Sequence, residues 1–466
     1  MKAKKKKKIN FKRFLIKLDF EKILTLGYES NVPQRNLLMG YLSYIIFGLV
    51  LISLPFSQKV PISFIDNLFN ITSAVSTSGL VTTNIHNSYT FFGQFIILLF
   101  IQLGGIGYMT LSSFIMYNLT HHFMRIKNGV MRATFSIPVE FNMQSLVKSI
   151  VWFSLFFEVI GAIILFVLFK QAGVSHSFWN AIFISISAFC TAGFSLFDNS
   201  LMAFDTNYGV NIVVALLCYV GAMGFIVLID FKNKLKDKAY RITFTSKIIV
   251  TITLLLTIIG TVQLYFFEPS LNNYSPKDKF LVSFFQSVSA MSTGGFNSVD
   301  IGHFGLASVM TISVLMFIGA SPSGTGGGIK TTTLSAVFAF VTCKLGNKRD
   351  VMMGSHRLPT YRVDSALTNI IFYGFILFLG TYILTFTENF SLSQIIVETT
   401  SALGTVGLST GITPDFSVSG KVILCILMYI GRVGVLSFGT VMLTRMSKKE
   451  KNVVKKEILD EDDIAI

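Results

Sequence analysis

Eight apolar blocks of about bilayer-crossing length restrict what this 466-residue chain can fold into. A spanning helix needs about 20 predominantly apolar residues. Inside hydrocarbon every backbone polar group must also be satisfied within the protein. The blocks cover residues 36–56, 91–119, 149–169, 209–229, 248–267, 304–341 (interrupted), 366–386 and 422–444. Charged residues make up only 14% of the chain, against roughly 25% in soluble domains, which argues against a water-soluble enzyme. Disorder is excluded by the apolar content, and four cysteines cannot build a disulfide scaffold of this size. The fold class predicted is an all-α polytopic membrane protein.

Between the members of each pair of blocks lies a half-apolar stretch of 13 residues: 64–76, 178–190, 280–292 and 392–404. That length is too short to span and suits a re-entrant segment or a buried helix. Lys and Arg set the orientation. They crowd the N-terminus (Lys2, the lysines 4–8, Lys12, Arg13, Lys17) and the connection after the second block (Arg125, Lys127, Arg132). They recur after the fourth block (Lys232, Lys234, Lys236, Lys238, Arg241) and after the sixth (Lys344, Lys348, Arg349, Arg357, Arg362). Arg445, Lys448 and Lys449 follow the eighth. The connections holding the 13-residue stretches are poor in both residue types. The positive-inside rule therefore predicts cytoplasmic termini and dips entering from outside, in a multi-pass protein of the inner (cytoplasmic) membrane. Every basic run abuts a span end, so the net charge of +15 reads as an orientation signal and not as a nucleic-acid footprint. The N-terminal lysines suit an anchor on the anionic inner leaflet of the lipid bilayer. No cleavable signal peptide is expected, because the first apolar block has full spanning length.

An internal repeat organises these blocks. Ser73-Ala-Val-Ser-Thr77-Ser78-Gly79-Leu, Ser187-Ala-Phe-Cys-Thr191-Ala192-Gly193-Phe, Ser289-Ala-Met-Ser-Thr293-Gly294-Gly295-Phe and Ser401-Ala-Leu-Gly-Thr405-Val406-Gly407-Leu align without gaps. The shared pattern S-A-x-x-T-x-G-[L/F] recurs at separations of 114, 102 and 112 residues, each time at the end of a dip. The chain is thus read as four tandem units of span, re-entrant pore helix and span. They occupy residues 36–120, 146–231, 247–342 and 366–444, giving eight spanning helices with pseudo-four-fold symmetry. A basic segment 1–35 precedes them and a cytoplasmic tail 445–466 follows. Non-helical backbone at membrane depth is tolerated only when buried in protein or lining a water-filled cavity. Four dips around one axis would bring four Thr-x-Gly loops together. The middle residue differs in every copy, so its side chain is not the common ligand, whereas main-chain carbonyls can be. A ring of carbonyl oxygens replacing a hydration shell is how potassium filters work. The competing reading is that each glycine only permits a tight turn under its dip.

Four such units on one chain, each with a single filter glycine, resemble the Trk/Ktr/HKT superfamily of potassium transporters. The sequences around Gly193 (SAFCTAGFSLFDNSL), Gly295 (TGGFNSVDI) and Gly407 (SALGTVGLSTGITP) are similar to the bacterial Ktr-type membrane subunit. The resemblance covers residues 36–444 and implies the Ktr layout, without the two extra N-terminal helices of the TrkH type. It implies potassium (K+) as the transported ion. In the family, glycine in all four filters goes with potassium preference, and serine in the first goes with sodium-permeable plant members; position 79 is glycine. It also implies a homodimer, a cytosolic ring of nucleotide-binding RCK (KTN) subunits, and uptake that is often stimulated by sodium (Na+). No nucleotide is expected on this chain itself. The alternative is a coupled cation symporter or a sodium-permeable member of the same superfamily.

Two copies depart from the repeat. The second helices align at Gly104-Gly105-Ile-Gly107, Gly221-Ala222-Met-Gly224, Gly319-Ala320-Ser321-Pro322 and Gly431-Arg432-Val-Gly434. Small residues here allow close helix packing. In the third copy Pro322 is followed by Ser323, Gly324, Thr325, Gly326, Gly327, Gly328, Ile329 and Lys330, so the helix must break in the membrane. This is not a phosphate loop, because Ile329 separates the last glycine from Lys330. Resemblance implies an intramembrane gating loop over 321–333; a static kink is the other reading. In the fourth copy Arg432 lies mid-span, where a charge is a functional-site hypothesis by default. It reads either as a cation facing the pore beneath the filter, raising a barrier to conduction or tethering the gating loop through its carbonyls, or as the partner of a carboxylate, Glu398 being nearest by repeat geometry. Glu158, mid-span in the second copy, reads as a buried structural acid, protonated or paired, with an ion ligand as the other reading. Asn84, Asp198 and Asp300 each stand five residues after a filter glycine, where they either concentrate cations at an outer mouth or cap loops. The adjacent pair His121 and His122 lacks metal-site spacing, and the four cysteines read as packed free thiols. No nucleophile–base constellation is present, so no enzymatic activity is expected.

Overall fold

The computed structural model describes residues 33–107 and 143–450. The basic runs before residue 33, the cluster at Arg125, Lys127 and Arg132, the His121–His122 pair and the end of the tail lie outside them. The first quarter holds α1 (Pro33–Ile52), α2 (Phe64–Ser76) and α3 (Phe91–Ile106). The second holds α4 (Met143–Gln171), α5 (Ser177–Phe189), α6 (Tyr208–Met223) and α7 (Phe225–Lys236). The third holds α8 (Phe244–Phe267), α9 (Pro276–Met291), α10 (Leu306–Phe317) and α11 (Thr331–Leu345). The fourth holds α12 (Thr360–Thr387), α13 (Leu392–Gly404), α14 (Val418–Val433) and α15 (Val435–Glu450). Among the described residues the all-helical expectation fails only at a two-residue ribbon, β1 (Met352–Met353) with β2 (His356–Arg357).

The helix that opens each quarter, α1, α4, α8 and α12, is long and apolar enough to cross a bilayer. These helices leave Phe47, Phe156, Ile163, Ile258 and Phe378 exposed, as expected of surfaces that meet lipid rather than water. The short helices invert the pattern of a soluble protein. In α2, Asn67, Asn70, Thr72, Ser73 and Ser76 are all buried. Serine starts three of the short helices: Ser63, Ser275 and Ser391 accept main-chain N–H groups at the N-termini of α2, α9 and α13, the last completing a capping box with Gln394. The fourth quarter closes on the first where α14 packs against α2. There Lys421 pairs with Asp66 at 2.9 Å.

The sequence predicts unbroken spans over 209–229 and 422–444, with a break in the third copy alone. The structure corrects this. α6 and α7 meet at Gly224 with a 97° bend, α14 and α15 at Gly434 with a 96° bend, and α3 stops at Gly107. Gly107, Gly224 and Gly434 have φ of 84°, 84° and 92°, angles that a side chain opposes. The first glycine of each aligned group does the close packing instead. A Cβ at Gly431 would stand 2.9 Å from the Leu403 carbonyl carbon at the end of α13, and one at Gly104 3.0 Å from that of Val75 in α2. Packing and breaking are therefore divided between two glycines that look alike in sequence.

The Gly224 conformation (φ 84°, ψ 160°) is essentially confined to glycine, and a Cβ there would lie 2.6 Å from the Pro322 carbonyl oxygen. Gly224→Ala is expected to destabilise by about 1–3 kcal/mol. Gly374→Ala, in open space within α12, is expected to stabilise by about 1 kcal/mol through helix propensity. Melting temperatures in detergent check both, and the reverse order would contradict the assignment of the break.

Candidate functional site

All four short helices finish on the same backbone device. Thr77, Thr191, Thr293 and Thr405 have φ of 55°, 51°, 55° and 50°. For a β-branched residue this left-handed conformation is an outlier, costing on the order of 1–3 kcal/mol each. The turn lets the following residue donate its N–H back into the helix. Ser78 reaches the Ser73 carbonyl at 2.9 Å, and Ala192, Gly294 and Val406 reach those of Ser187, Ser289 and Ser401 at 2.8 Å each. The recurrent serine is thus the acceptor. In two copies its hydroxyl also braces the returning strand: Ser289 donates to the Phe296 carbonyl at 2.8 Å, and Ser401 accepts from the Gly407 N–H at 2.9 Å. The repeat pattern contains these threonines, but nothing in a β-branched residue type signals a left-handed backbone. The side chains of Ser78, Ala192 and Val406 are fully buried in the surrounding protein.

The glycines then close a ring in chain order. A Cβ at Gly79 would stand 3.0 Å from Gly193 Cα, one at Gly193 3.0 Å from Gly295 Cα, one at Gly295 3.1 Å from Gly407 Cα, and one at Gly407 3.0 Å from Gly79 Cα. Four helix C-termini, the negative ends of their dipoles, converge on this ring, an electrostatic setting that favours a cation. On one side opens a cavity of about 410 Å³ lined by all four glycines together with Asn84, Asp198 and Asp300. Asn84 Nδ2 donates to Asp198 Oδ1 at 2.7 Å. Asp300 accepts from the Gly302 N–H at 2.8 Å and pairs with His303 at 2.9 Å. These polar residues therefore face the mouth and also secure its loops.

On the other side the interrupted segment of the third quarter crosses beneath the ring. It is stitched to the break in the second quarter: Ser321 N–H donates to Ala222 O at 3.0 Å, Thr325 N–H to Gly221 O at 3.1 Å, and Phe225 N–H to Ser323 O at 3.2 Å. Thr325 Oγ1 lies 3.0 Å from Thr191 Oγ1. Gly326 and Gly327 press against the hydroxyls of Thr293 and Thr405, which have no hydrogen-bond partner among the described residues. Gly319 packs on Gly327 and Gly328, so in this quarter the loop takes the place of the short-helix carbonyl. Lys330 Nζ curls back to the carbonyls of Gly326 (2.6 Å) and Gly327 (3.1 Å). Arg432 ties three quarters together, donating to Thr77 Oγ1 at 2.9 Å, to Thr325 O, to Gly104 O and to Gly105 O at 3.3 Å. Below lies a second cavity of about 560 Å³, lined by Gly324, Gly326, Gly327, Gly328, Lys330 and Arg432 among others. The two cavities share no lining residue.

Glu398 is not the partner of Arg432. It accepts from Ser409 Oγ at 2.6 Å, the Thr410 N–H at 3.1 Å and Thr413 Oγ1 at 2.8 Å, fastening the segment after Gly407. Repeat geometry places it near Arg432, but the chain after Gly407 folds back over it. Glu158 is buried and accepts from Gln102. Two carboxylates went unnoticed in the sequence. Glu268 accepts from the Gly305 N–H at 3.1 Å and Glu388 from the Ser417 N–H at 3.1 Å, each joining the end of a first helix to the start of its second. Their signal is an acid directly after an apolar block. Among the described residues no group of three metal-ligating side chains occurs, and the four cysteines are free and buried.

Glu398→Ala would leave the Thr410 N–H and one of the two hydroxyls without an acceptor, since Ser409 Oγ and Thr413 Oγ1 lie 2.9 Å apart and can satisfy one another only once, a cost of about 1–3 kcal/mol. Glu398→Gln retains an acceptor and should lower the melting temperature less. Equal losses from the two variants would contradict this role.

Residues 7–454 match the TrkH family, described as cation transport protein. The chain is 35% identical over 426 residues to the Ktr system potassium uptake protein B of Bacillus subtilis (strain 168), covering 90% of this chain and 95% of that protein. It is 33% identical over 408 residues to the Ktr system potassium uptake protein B of Vibrio alginolyticus, covering 86% and 90%. It is 32% identical over 430 residues to the potassium/sodium uptake protein NtpJ of Enterococcus hirae, covering 90% and 95%. Among solved structures, the potassium transporter TrkH from Vibrio parahaemolyticus shares its fold, with a TM-score of 0.68 over 87% of this chain and 85% of that one, at 22% identity.

Proposed function

The chain belongs to the TrkH family of cation transport proteins, and from that premise we propose that it takes up potassium across the cytoplasmic membrane through the ring of Thr-x-Gly loops. It is a helical membrane transporter and not an enzyme. The observation that carries the reading is the glycine-to-glycine closure of four loops between two separate cavities. Each quarter is read as span, pore helix and span. The eight crossings would be the four long helices, the bent pairs α6–α7 and α14–α15, the interrupted pair α10–α11, and the apolar block 91–119, of which α3 is the described part. Ions would enter from outside past Asn84, Asp198 and Asp300. They would shed water at the main-chain oxygens of residues 77–79, 191–193, 293–295 and 405–407. The membrane potential would drive them inward at about 2.3 kcal/mol per charge per 100 mV.

The loop 321–330 is the gate in this reading. Arg432 holds it under the ring and Lys330 holds its fold, so two cations stand on the ion path while it is in place. Relatives named as parts of a Ktr system support a membrane subunit that works with other components. A homodimer and a cytosolic RCK/KTN ring on the basic inner face are the partners proposed. One observation favours keeping coupled cation symport as a second reading: discontinuous helices at corresponding places are a feature of coupled transporters, and here they recur at Gly224, in the 318–330 segment and at Gly434.

Potassium and sodium uptake by proteoliposomes tests these statements. Gly79→Ser should lower the potassium-to-sodium ratio about tenfold, equivalent to ~1.4 kcal/mol of discrimination. Arg432→Gln should raise potassium flux by releasing the loop. An unchanged ratio in the first variant would overturn the filter reading, and a potassium flux tied stoichiometrically to a second ion would favour symport.

A further inference from the structure

Behind the ring, the seams between successive quarters can be compared position by position. Ser185 of α5 donates to the main-chain oxygen of Glu158 at 2.7 Å, and Ser287 of α9 donates to that of Thr257 at 3.0 Å. Gly161 and Gly260, three residues further on, lie against the same two serine hydroxyls. Glu158 and Thr257 are therefore structural counterparts. Their partners correspond as well. Gln102 and Tyr219 each stand two residues before the tightly packed glycine of a second helix, Gly104 and Gly221. At one seam the Tyr219 hydroxyl meets the Thr257 hydroxyl. At the other, the Gln102 amide donates to both carboxylate oxygens of Glu158, at 2.8 and 3.0 Å. The same position on the remaining second helices is Phe317, which packs edge-on to Tyr373, and Tyr429, which donates to Leu38 O at 2.7 Å. Of these four contacts one carries a carboxyl group.

That group is 4% exposed, in the middle of α4, and among the described residues no cation pairs with it. A carboxyl at membrane depth is costly and marks function by default, and the Tyr–Thr contact one seam along shows that the junction can be built without it. Its effect runs through Gln102. An amide can present either its donor or its acceptor end, and here both carboxyl oxygens of Glu158 lie within hydrogen-bond distance of Gln102 Nε2, which leaves the amide oxygen facing away from Glu158. Glu158 thus sets which way Gln102 points. The remaining Gln102 Oε1 accepts from Cys190 Sγ at 3.5 Å. Cys190 directly precedes Thr191, and its carbonyl accepts from Thr191 Oγ1 at 2.8 Å. Two and three residues beyond Gln102, the carbonyls of Gly104 and Gly105 accept from Arg432.

We propose that Glu158 is a positioning residue for the second loop of the ring. By fixing the orientation of Gln102 it holds Cys190, and through it the main-chain oxygens of residues 191–193, so that ion discrimination depends on a side chain outside the pore. The inference rests on the reading of the ring as an ion filter.

The experiment is the potassium-to-sodium flux ratio in proteoliposomes, read beside the melting temperature of the purified protein. Gly193→Ser asks only whether the ring is the filter; an unchanged ratio there brings down that reading and this one with it. Where Gly193→Ser alters the ratio, Glu158→Gln is expected to lower it about three- to tenfold, at the weaker end of what partners behind an ion's direct ligands contribute. Its melting temperature should stay close to that of Tyr219→Phe, the change at the equivalent seam. Glu158→Met combined with Gln102→Leu replaces the pair by apolar side chains and leaves neither partner unpaired, and the same loss is expected. A wild-type ratio in either Glu158 variant that assembles would overturn the proposal, because the pair would then serve packing alone. Failure of both to assemble would assign the pair to the fold and overturn it equally.

Discussion

Four glycine α-carbons approach one another at the centre of this molecule with no room for a β-carbon between neighbouring loops. Main chain can be brought that close inside a membrane only if its remaining polar groups are satisfied and its conformation is held from behind. The left-handed threonines meet both needs. Each turns the chain sharply off a helix end, and each lets the next N–H return to a serine carbonyl. The strain of a β-branched residue in that conformation is sustained because the last turns of the short helices are buried.

The packing around the ring follows from the same closeness. Gly104, Gly221 and Gly431 let the second helices press on the last carbonyls of the short helices. Just beyond, glycines of positive φ end α3 and turn α6 and α14 aside, so that in the second and fourth quarters a straight helix does not continue beneath the ring. The third quarter uses the freed space differently, and its loop rather than a helix end meets Gly319. Four-fold resemblance thus ends beneath the ring. A guanidinium from one quarter there holds hydroxyl and carbonyl groups of two others. Since helix C-termini make this place favourable to cations, the arginine occupies a setting suited to positive charge.

Much of this was legible in the chain because lipid narrows the choices. Block length and the recurrence of S-A-x-x-T-x-G lead to short helices ending in Thr-x-Gly without reference to tertiary contacts. The breaks at Gly224 and Gly434 were not legible, since a glycine in an apolar helix signals close packing and hinge alike. Glu398 was misdirected as a candidate partner for Arg432 because repeat geometry places helices but not the loops that follow them. The Glu158–Gln102–Cys190 connection joins residues 56 and 88 positions apart, on elements whose seam no local pattern announces.

By itself the sequence determined that the chain is helical, resides in a membrane and carries four like segments, because hydrophobic length and repetition are local properties that survive without a fold. Tertiary structure alone decided that the four glycines face one another, that the loop lies beneath them, and which hydroxyl or carboxylate each buried cation and amide meets. Those outcomes depend on distances between segments about a hundred residues apart, set by how helices bend and pack and by no property of any one segment.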